Sequence, residues 1–241
     1  MGSAPAAWRN GFAMGGEGGQ AVVEAAFALP LTVVLILCTI QIAQLQQARL
    51  LVEYAAFNAA RAGVVQNGND GSDGTAGPMH DAAALSLLSG QGPTDGLGAL
   101  ARTWAGFRAR EALLRAHGLP LVQVFVLNPR RGDFHRFGQH LGGQEIDFDD
   151  VRPQAVDASL LSIQVRFLVE LRVPLANKLI HSVWLASRAR RGKQALDDGT
   201  PGGLDLAPLA LAGTRGRYFV PVQAFHTLRM QSNAFLRWAA P

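Results

Sequence analysis

The longest apolar run of the chain lies near its N-terminus. No charged residue occurs between Ala25 and Ala43, and the nearest charges on either side are Glu24 and Arg49. As a helix, these residues extend roughly 28 Å at 1.5 Å per residue, about the thickness of the hydrocarbon core of a bilayer. A buried helix of a soluble protein rarely stays uncharged over this length. The pattern therefore predicts a membrane-spanning helix.

The helical pattern continues beyond this span. Apart from Pro30, no Gly or Pro interrupts residues 20–62, which predicts one helix of about 43 residues that ends with Gly63 as its C-cap. A cleaved secretory signal is the alternative, but its apolar stretch is only about 7–15 residues long and is followed by a small-x-small exit. We therefore expect an uncleaved anchor whose second half lies against a globular domain.

Further along the chain, the pattern alternates between helix and strand. The strongest strand signal is at 161–175, where apolar and polar residues alternate as in an antiparallel strand with one wet face. Residues 99–118 predict an amphipathic helix with Glu111 on its polar face. Shorter signals are a helical piece at 79–88, strands at 119–129 and 217–232, a polar Gly-rich loop at 130–150 and a basic loop at 187–203.

These elements predict an α+β fold class, with a long N-terminal transmembrane helix extending into a small exported domain of antiparallel sheet and short helices. The expected division is a leader at 1–19, the anchor and extended helix at 20–63, a Gly-rich loop region at 64–98 and the α+β exported domain at 99–241.

Charge and composition narrow the function classes. The chain has 241 residues, a net charge of +4 and a pI near 10.0, but its arginines are dispersed, without an aromatic-interleaved basic stripe. We therefore expect no nucleic-acid partner. The basic loop could touch lipid head groups or an acidic partner, although a solvated loop is its default interpretation. Because Cys38 is the single cysteine, no intramolecular disulfide and no cysteine metal site can form.

Motifs for catalysis are missing from the sequence. It has no G-x-S-x-G, no H-E-x-x-H, no P-loop and no dinucleotide-binding glycine pattern. His135 and His140 lie five residues apart in a predicted loop, which is weak evidence for a metal. The prediction is accordingly a protein that is not an enzyme, with no cofactor, no metal and no catalytic residue.

The N-terminal segment "GGQAVVEAAFALPLTVVLIL", at 18–37, resembles the start of the TadE-like and TadG-like pseudopilins. The family pattern is Gly, four residues, Glu and then an apolar helix. The segment "YAAFNAARAGVV" at 54–65 is similar to the part that these proteins carry just outside the membrane. The late segments 165–180 and 218–230 resemble their final strands, whereas 66–160 shows no resemblance.

The resemblance implies a processing site and a role. A prepilin peptidase would cut between Gly19 and Gln20, leaving Glu24 as the fifth residue of the mature chain. The protein would be a minor pseudopilin of Flp/Tad pilus assembly or a related secretion system. It would be a single-pass protein of the bacterial inner (cytoplasmic) membrane with a periplasmic C-terminal domain. Its implied partners are inner membrane lipid, the prepilin peptidase, other pilin or pseudopilin subunits and the assembly machinery.

The position of Glu24 has two physical explanations. Cleavage after Gly19 would create an α-amine four residues away, and that amine of one subunit would pair with Glu24 of its neighbour in a low dielectric. Alternatively, Glu24 only complements the N-terminal helix dipole, worth about 0.3–1 kcal/mol.

Two other readings of the whole chain remain open. One is a periplasmic binding or enzymatic domain on an ordinary signal anchor, unrelated to pili. The other is a cytoplasmic domain tethered by an N-out anchor, which the charges around the span permit because Arg49 and Arg61 follow it.

Overall fold

The computed structural model describes residues 17–66, 74–191 and 206–239. Its first element is α1, a helix of 50 residues at Glu17–Gln66. The predicted long helix is therefore confirmed, but the prediction of Gly63 as its C-cap is wrong. Gly63 lies inside the helix, where a Cβ atom would stand 2.5 Å from the Met79 sulfur and 2.8 Å from a methyl of Leu161. Its lack of a side chain serves close packing and not helix termination.

The predicted α+β class is confirmed: short helices and an antiparallel sheet follow α1. The remaining helices and strands are α2 (Pro78–Leu87), α3 (Leu97–Ala116), β1 (Val122–Asn128), α4 (Arg131–Phe137), β2 (Glu145–Ile146), α5 (Pro153–Ala158), β3 (Leu160–Glu170), α6 (Ala176–Arg191), α7 (Leu206–Thr214), β4 (Phe219–Arg229) and β5 (Ala234–Phe235).

The main sheet has the order β1-β3-β4 and is antiparallel throughout, with β3 in the centre. Val165 of β3 lies opposite Val124 of β1 and Ala224 of β4. A second, two-stranded sheet pairs β2 with β5. Since β3 runs alongside α1, one end of the sheet lies by Gly63 and the other lies near Gln44, which lines a groove with Val169.

The expectation of one wet face on β3 is wrong. Gln164, Arg166 and Leu168 belong to the face expected to be polar, yet all three are buried. The reason is the central position of β3, because Phe125 of β1 and Phe225 of β4 lie directly opposite Gln164. A strand with neighbours on both sides is covered by their large side chains even where its own residues are polar.

The core extends into segments that looked polar in the sequence. Within 130–150, the chain forms α4 and buries Phe134 and Phe137, so the prediction of a plain polar loop there is wrong. The helical piece expected at 79–88 is present as α2. Small residues let α1 and α2 approach closely, namely Ala55, Ala56, Ala59 and Ala60 on α1 and Ala83 and Ala84 on α2.

Candidate processing and assembly site

The three residues predicted to matter most lie together on the first turns of α1. Gly19, Gln20 and Glu24 are all exposed and helical. Gln20 and Glu24 are four residues apart, so they lie on the same face of the helix, about 6 Å apart along its axis. The structure therefore places the predicted cleavage bond and the predicted assembly carboxylate on one accessible stretch of helix.

Gly19 has no packing role within the described structure. A Cβ atom built at Gly19 would meet no other atom within 4 Å, in contrast to Gly63. Its backbone is helical, so it needs no positive φ either. If this position requires glycine, the requirement comes from a molecule that acts on the chain.

Glu24 makes no hydrogen bond and no ion pair with any residue that the structure describes. Its neighbours along the helix are apolar, with Val22, Val23 and Phe27 each more than half exposed. A carboxylate on such a surface is well solvated in water but is costly in lipid, by up to about 2.5–3.5 kcal/mol at the bilayer centre and less near the edge. Any partner that compensates this cost must come from outside the described chain.

Among the described residues, Gln41 is the first residue of α1 whose side chain is buried against the domain. No described side chain of residues 19–40 is buried, whereas Gln41 is only 1% exposed. The Gln41 side-chain oxygen accepts a hydrogen bond from the Val173 backbone N–H at 2.9 Å, and its amide nitrogen donates to Gln44 at 3.4 Å. Gln41 was expected within the apolar span at 25–43, but the structure places it in the domain. No periodic signal in the sequence marks this change.

The free part of α1 has the length of a membrane crossing. From Gln20 to Ile40 it extends 21 residues, roughly 31 Å, which matches a hydrocarbon core of about 30 Å. Its two hydroxyl groups are satisfied within the helix, because Thr32 donates to the Ala28 carbonyl at 2.8 Å and Thr39 donates to the Leu35 carbonyl at 2.9 Å. By length and composition, α1 qualifies as a candidate membrane span.

Two ionic clusters join the domain's elements, and both were missed in the sequence. In the first, His80 of α2 donates from Nε2 to Glu111 of α3 at 2.8 Å, and Arg108 donates to the other Glu111 oxygen at 3.0 Å. His80 is fully buried and Glu111 is 3% exposed, so the placement of Glu111 on a polar face is wrong. Burial alone would raise the pKa of Glu111, but the His80 hydrogen bond and the nearby arginine charges outweigh burial and lower it.

The second cluster involves Arg110, the residue before Glu111 on α3, and therefore lies at the same level of the helix but on a different face. Glu170 accepts hydrogen bonds from Arg110 at 2.5 Å and from Arg217 at 2.9 Å, which ties the end of β3 to α3 and to the start of β4. Burial opposes ionisation of Glu170, yet hydrogen bonding by Arg217 and the charge of Arg110 lower its pKa. Apart from the local Arg108–Glu111 pair, these contacts join residues 31 or more positions apart, so no local sequence pattern reveals the clusters.

Neither cluster has the character of a catalytic pair. A carboxylate held ionised by arginines is a weak proton acceptor and is not a proton donor at neutral pH. A groove of about 240 Å³ lies beside the second cluster, between α1 and β3. Among the described residues, no three His, Cys, Asp or Glu side chains are placed to hold a metal ion.

Comparison with known proteins finds one relationship. Residues 19–61 match the model of the TadE-like protein family. No curated protein and no solved structure matches the chain significantly. The matched segment begins at Gly19, contains Glu24 and the whole free part of α1, and ends within the half that packs on the domain. It relates the chain to proteins of Flp/Tad pilus assembly, a family not known for enzymatic activity. The resemblance predicted from the N-terminal residues is thereby confirmed: over residues 19–61 this chain carries the TadE-like segment.

Proposed function

We propose that the chain is a minor pseudopilin of Flp/Tad pilus assembly or a related secretion system. It would be anchored in the bacterial inner membrane by residues 20–40, with the domain from Gln41 onward in the periplasm. The observation that carries this proposal is the free stretch of α1, which has the length of one bilayer crossing, lies wholly within the TadE-like match and presents Glu24 without a partner among the described residues.

Cleavage after Gly19 requires the start of the helix to unwind. A peptidase needs an extended segment at the scissile bond, whereas the chain is helical from Glu17. Gly18 and Gly19 each weaken a helix by about 0.8–1.0 kcal/mol relative to alanine. The helix therefore opens most easily at the bond to Gln20, without disturbing the apolar turns that follow.

After this cut, the mature helix begins at Gln20 and Glu24 stands at the end of its first turn. The new α-amine and Glu24 of the same chain are fixed about 6 Å apart along the helix axis. Side by side, two such helices shifted by about one turn bring the amine of one subunit to the carboxylate of the other. In a low dielectric, that pairing compensates the desolvation of both charges.

The first test separates processing from folding. Gly19→Leu adds bulk where the described structure leaves open space, so the variant should insert into the membrane at the normal level but remain uncut by a prepilin peptidase. Val22→Leu is the matched control, because it changes bulk on the same turn and should be cut normally. Normal cutting of Gly19→Leu would contradict the proposed processing site.

The second test addresses Glu24. Glu24→Gln keeps the size of the side chain and removes its charge, so insertion and cutting should be unchanged while incorporation into the assembly, measured by cross-linking to other subunits, should fall. Glu53→Gln is the control, since Glu53 is an exposed carboxylate on the same helix, paired to Arg49 outside the span. Normal incorporation of Glu24→Gln would leave Glu24 with the helix-dipole role alone.

A further inference from the structure

Helix α6 has an exposed apolar stripe. Leu179 and Val183 are 50% and 63% exposed and lie four residues apart on one face of the helix, and the stripe continues to Leu175, which is 63% exposed and immediately precedes α6. The opposite face packs on the domain: His181 is buried, and its Nδ1–H donates a hydrogen bond to the Phe219 carbonyl at 3.0 Å. The stripe is therefore not explained by the packing of the described domain.

The stripe lies at the end of the domain that adjoins the free part of α1. Val173, three residues before α6, is the residue whose N–H binds Gln41. Ala176, the first residue of α6, is buried, which fixes the start of the helix at this level. The start of α6 is thus close to the level at which α1 leaves the domain.

The charges of α6 suit an anionic surface. Its sequence contains four cations, Lys178, Arg188, Arg190 and Arg191, and no acid. Lys178 is exposed beside the stripe, and Arg172 is exposed just before the helix. Apolar side chains bordered by cations are the pattern of helices that lie in the plane of a membrane with the apolar face among the upper acyl chains.

Leu175 adds an independent observation. Its φ is +65°, and it is the one non-glycine residue with positive φ among those described. Glycine or asparagine adopts this conformation more easily than leucine. A leucine that is strained and also mostly exposed gains nothing from the described fold, which indicates that its side chain is needed for contact with something beyond it.

We propose that α6 is an interfacial helix, whose stripe of Leu175, Leu179 and Val183 inserts into the periplasmic leaflet of the membrane that α1 spans. The exposed cations near the stripe, Lys178 and Arg172, then meet the phosphates of anionic lipids. Contact at both α1 and α6 fixes the tilt of the domain on the membrane. This inference rests on the proposed membrane span of α1, and its test is arranged to separate the two.

The test uses the full chain in vesicles of phosphatidylethanolamine and phosphatidylglycerol. A spin label is placed at Leu179→Cys in a Cys38→Ala background, and its collisions with oxygen, which concentrates in lipid, are compared with its collisions with a water-soluble nickel complex. The matched control is Leu85→Cys. Leu85 is 53% exposed on α2, near Asn58, which lies about 26 Å further along α1 than Gln41.

The expected result is an oxygen-to-nickel collision ratio several-fold higher at residue 179 than at residue 85. A third label, at Val33→Cys in the free part of α1, reports whether the anchor is inserted. Lipid exposure at 33 combined with water exposure at 179 would overturn the interfacial helix alone. Water exposure at both would overturn the membrane span as well. Spin–spin broadening at 179 that disappears on dilution with unlabelled protein would show a second copy on the stripe and would also overturn the proposal.

Discussion

Replacing Glu111 with glutamine tests whether the buried cluster with His80 holds α2 to α3. The substitution keeps the shape of the side chain and removes its charge. Two charge-assisted hydrogen bonds are affected, each worth about 1.5–3 kcal/mol when buried. The glutamine oxygen still accepts one bond from His80, and the bond from Arg108 counts for less because Arg108 is 44% exposed. We therefore expect a loss of about 2 kcal/mol in the free energy of unfolding.

Thermal unfolding of the full chain in detergent, followed by tryptophan fluorescence, measures this loss. For a chain of this size, about 2 kcal/mol corresponds to a decrease in Tm of roughly 4–8 °C. Glu53→Gln is the control, because the exposed Arg49–Glu53 pair at 3.2 Å is worth at most about 0.5 kcal/mol. Its Tm should change by less than about 2 °C.

The pH dependence provides a second, independent readout. The pKa of Glu111 lies below its ordinary value of 4.5 in the folded protein. A group with a lowered folded pKa contributes stability that is fully present above its unfolded pKa and is lost as the pH falls through the folded pKa. The Tm difference between the native chain and Glu111→Gln should be constant from neutral pH to about pH 5.5 and should shrink below pH 4.5. A decrease in Tm no larger than that of Glu53→Gln, or a difference that persists unchanged at pH 3.5, would refute this reasoning.

Three further predictions concern the second ionic cluster, packing and backbone strain, and all are read as Tm changes of the full chain in detergent. Glu170→Gln should lower stability by about 2 kcal/mol because two arginines lose their shared carboxylate; an unchanged Tm would contradict this. Gly106→Ala should raise the free energy of unfolding by about 0.5–1 kcal/mol, since its Cβ meets open space. Gly63→Ala should give a free energy of unfolding about 1–3 kcal/mol lower than that of Gly106→Ala. Equal effects would show that Met79 and Leu161 move away from the new methyl group without cost. Leu175→Gly should leave the free energy of unfolding unchanged or raise it by up to about 1 kcal/mol, because the relief of backbone strain exceeds the entropic cost of ordering glycine. A clear decrease in Tm would mean that Leu175 packs within the domain.

Much of the fold follows from periodicity in the sequence. The uncharged run and the lack of Gly or Pro other than Pro30 at 20–62 predict α1, and the alternation at 161–175 predicts β3, because each signal arises within one element. The prediction of a solvent-exposed face on β3 was wrong, since the burial of that face is decided by Phe125 and Phe225 on neighbouring strands. The prediction of Gly63 as a C-cap was wrong for a related reason, because its role is set by Met79 and Leu161, which are distant in sequence.

The candidate site likewise contains residues that could be predicted from the sequence and one that could not. Gly19, Gln20 and Glu24 could be predicted because their spacing is local and carries the family pattern. Gln41 looked like one polar residue within an apolar span, and its contact with Val173, 132 positions away, exists only in the fold. This contact marks where the free part of α1 ends, and it lies three residues before the start of α6.

The mass of the mature N-terminus tests the central claim most directly. The protein is purified from the membranes of a cell that contains its own pilus machinery, digested, and its N-terminal peptide is identified by mass spectrometry. We expect a chain that starts at Gln20 with Glu24 as its fifth residue. A chain that still begins at Met1, or one that begins beyond Ile40, would contradict it, because the first lacks the new α-amine and the second lacks the anchor.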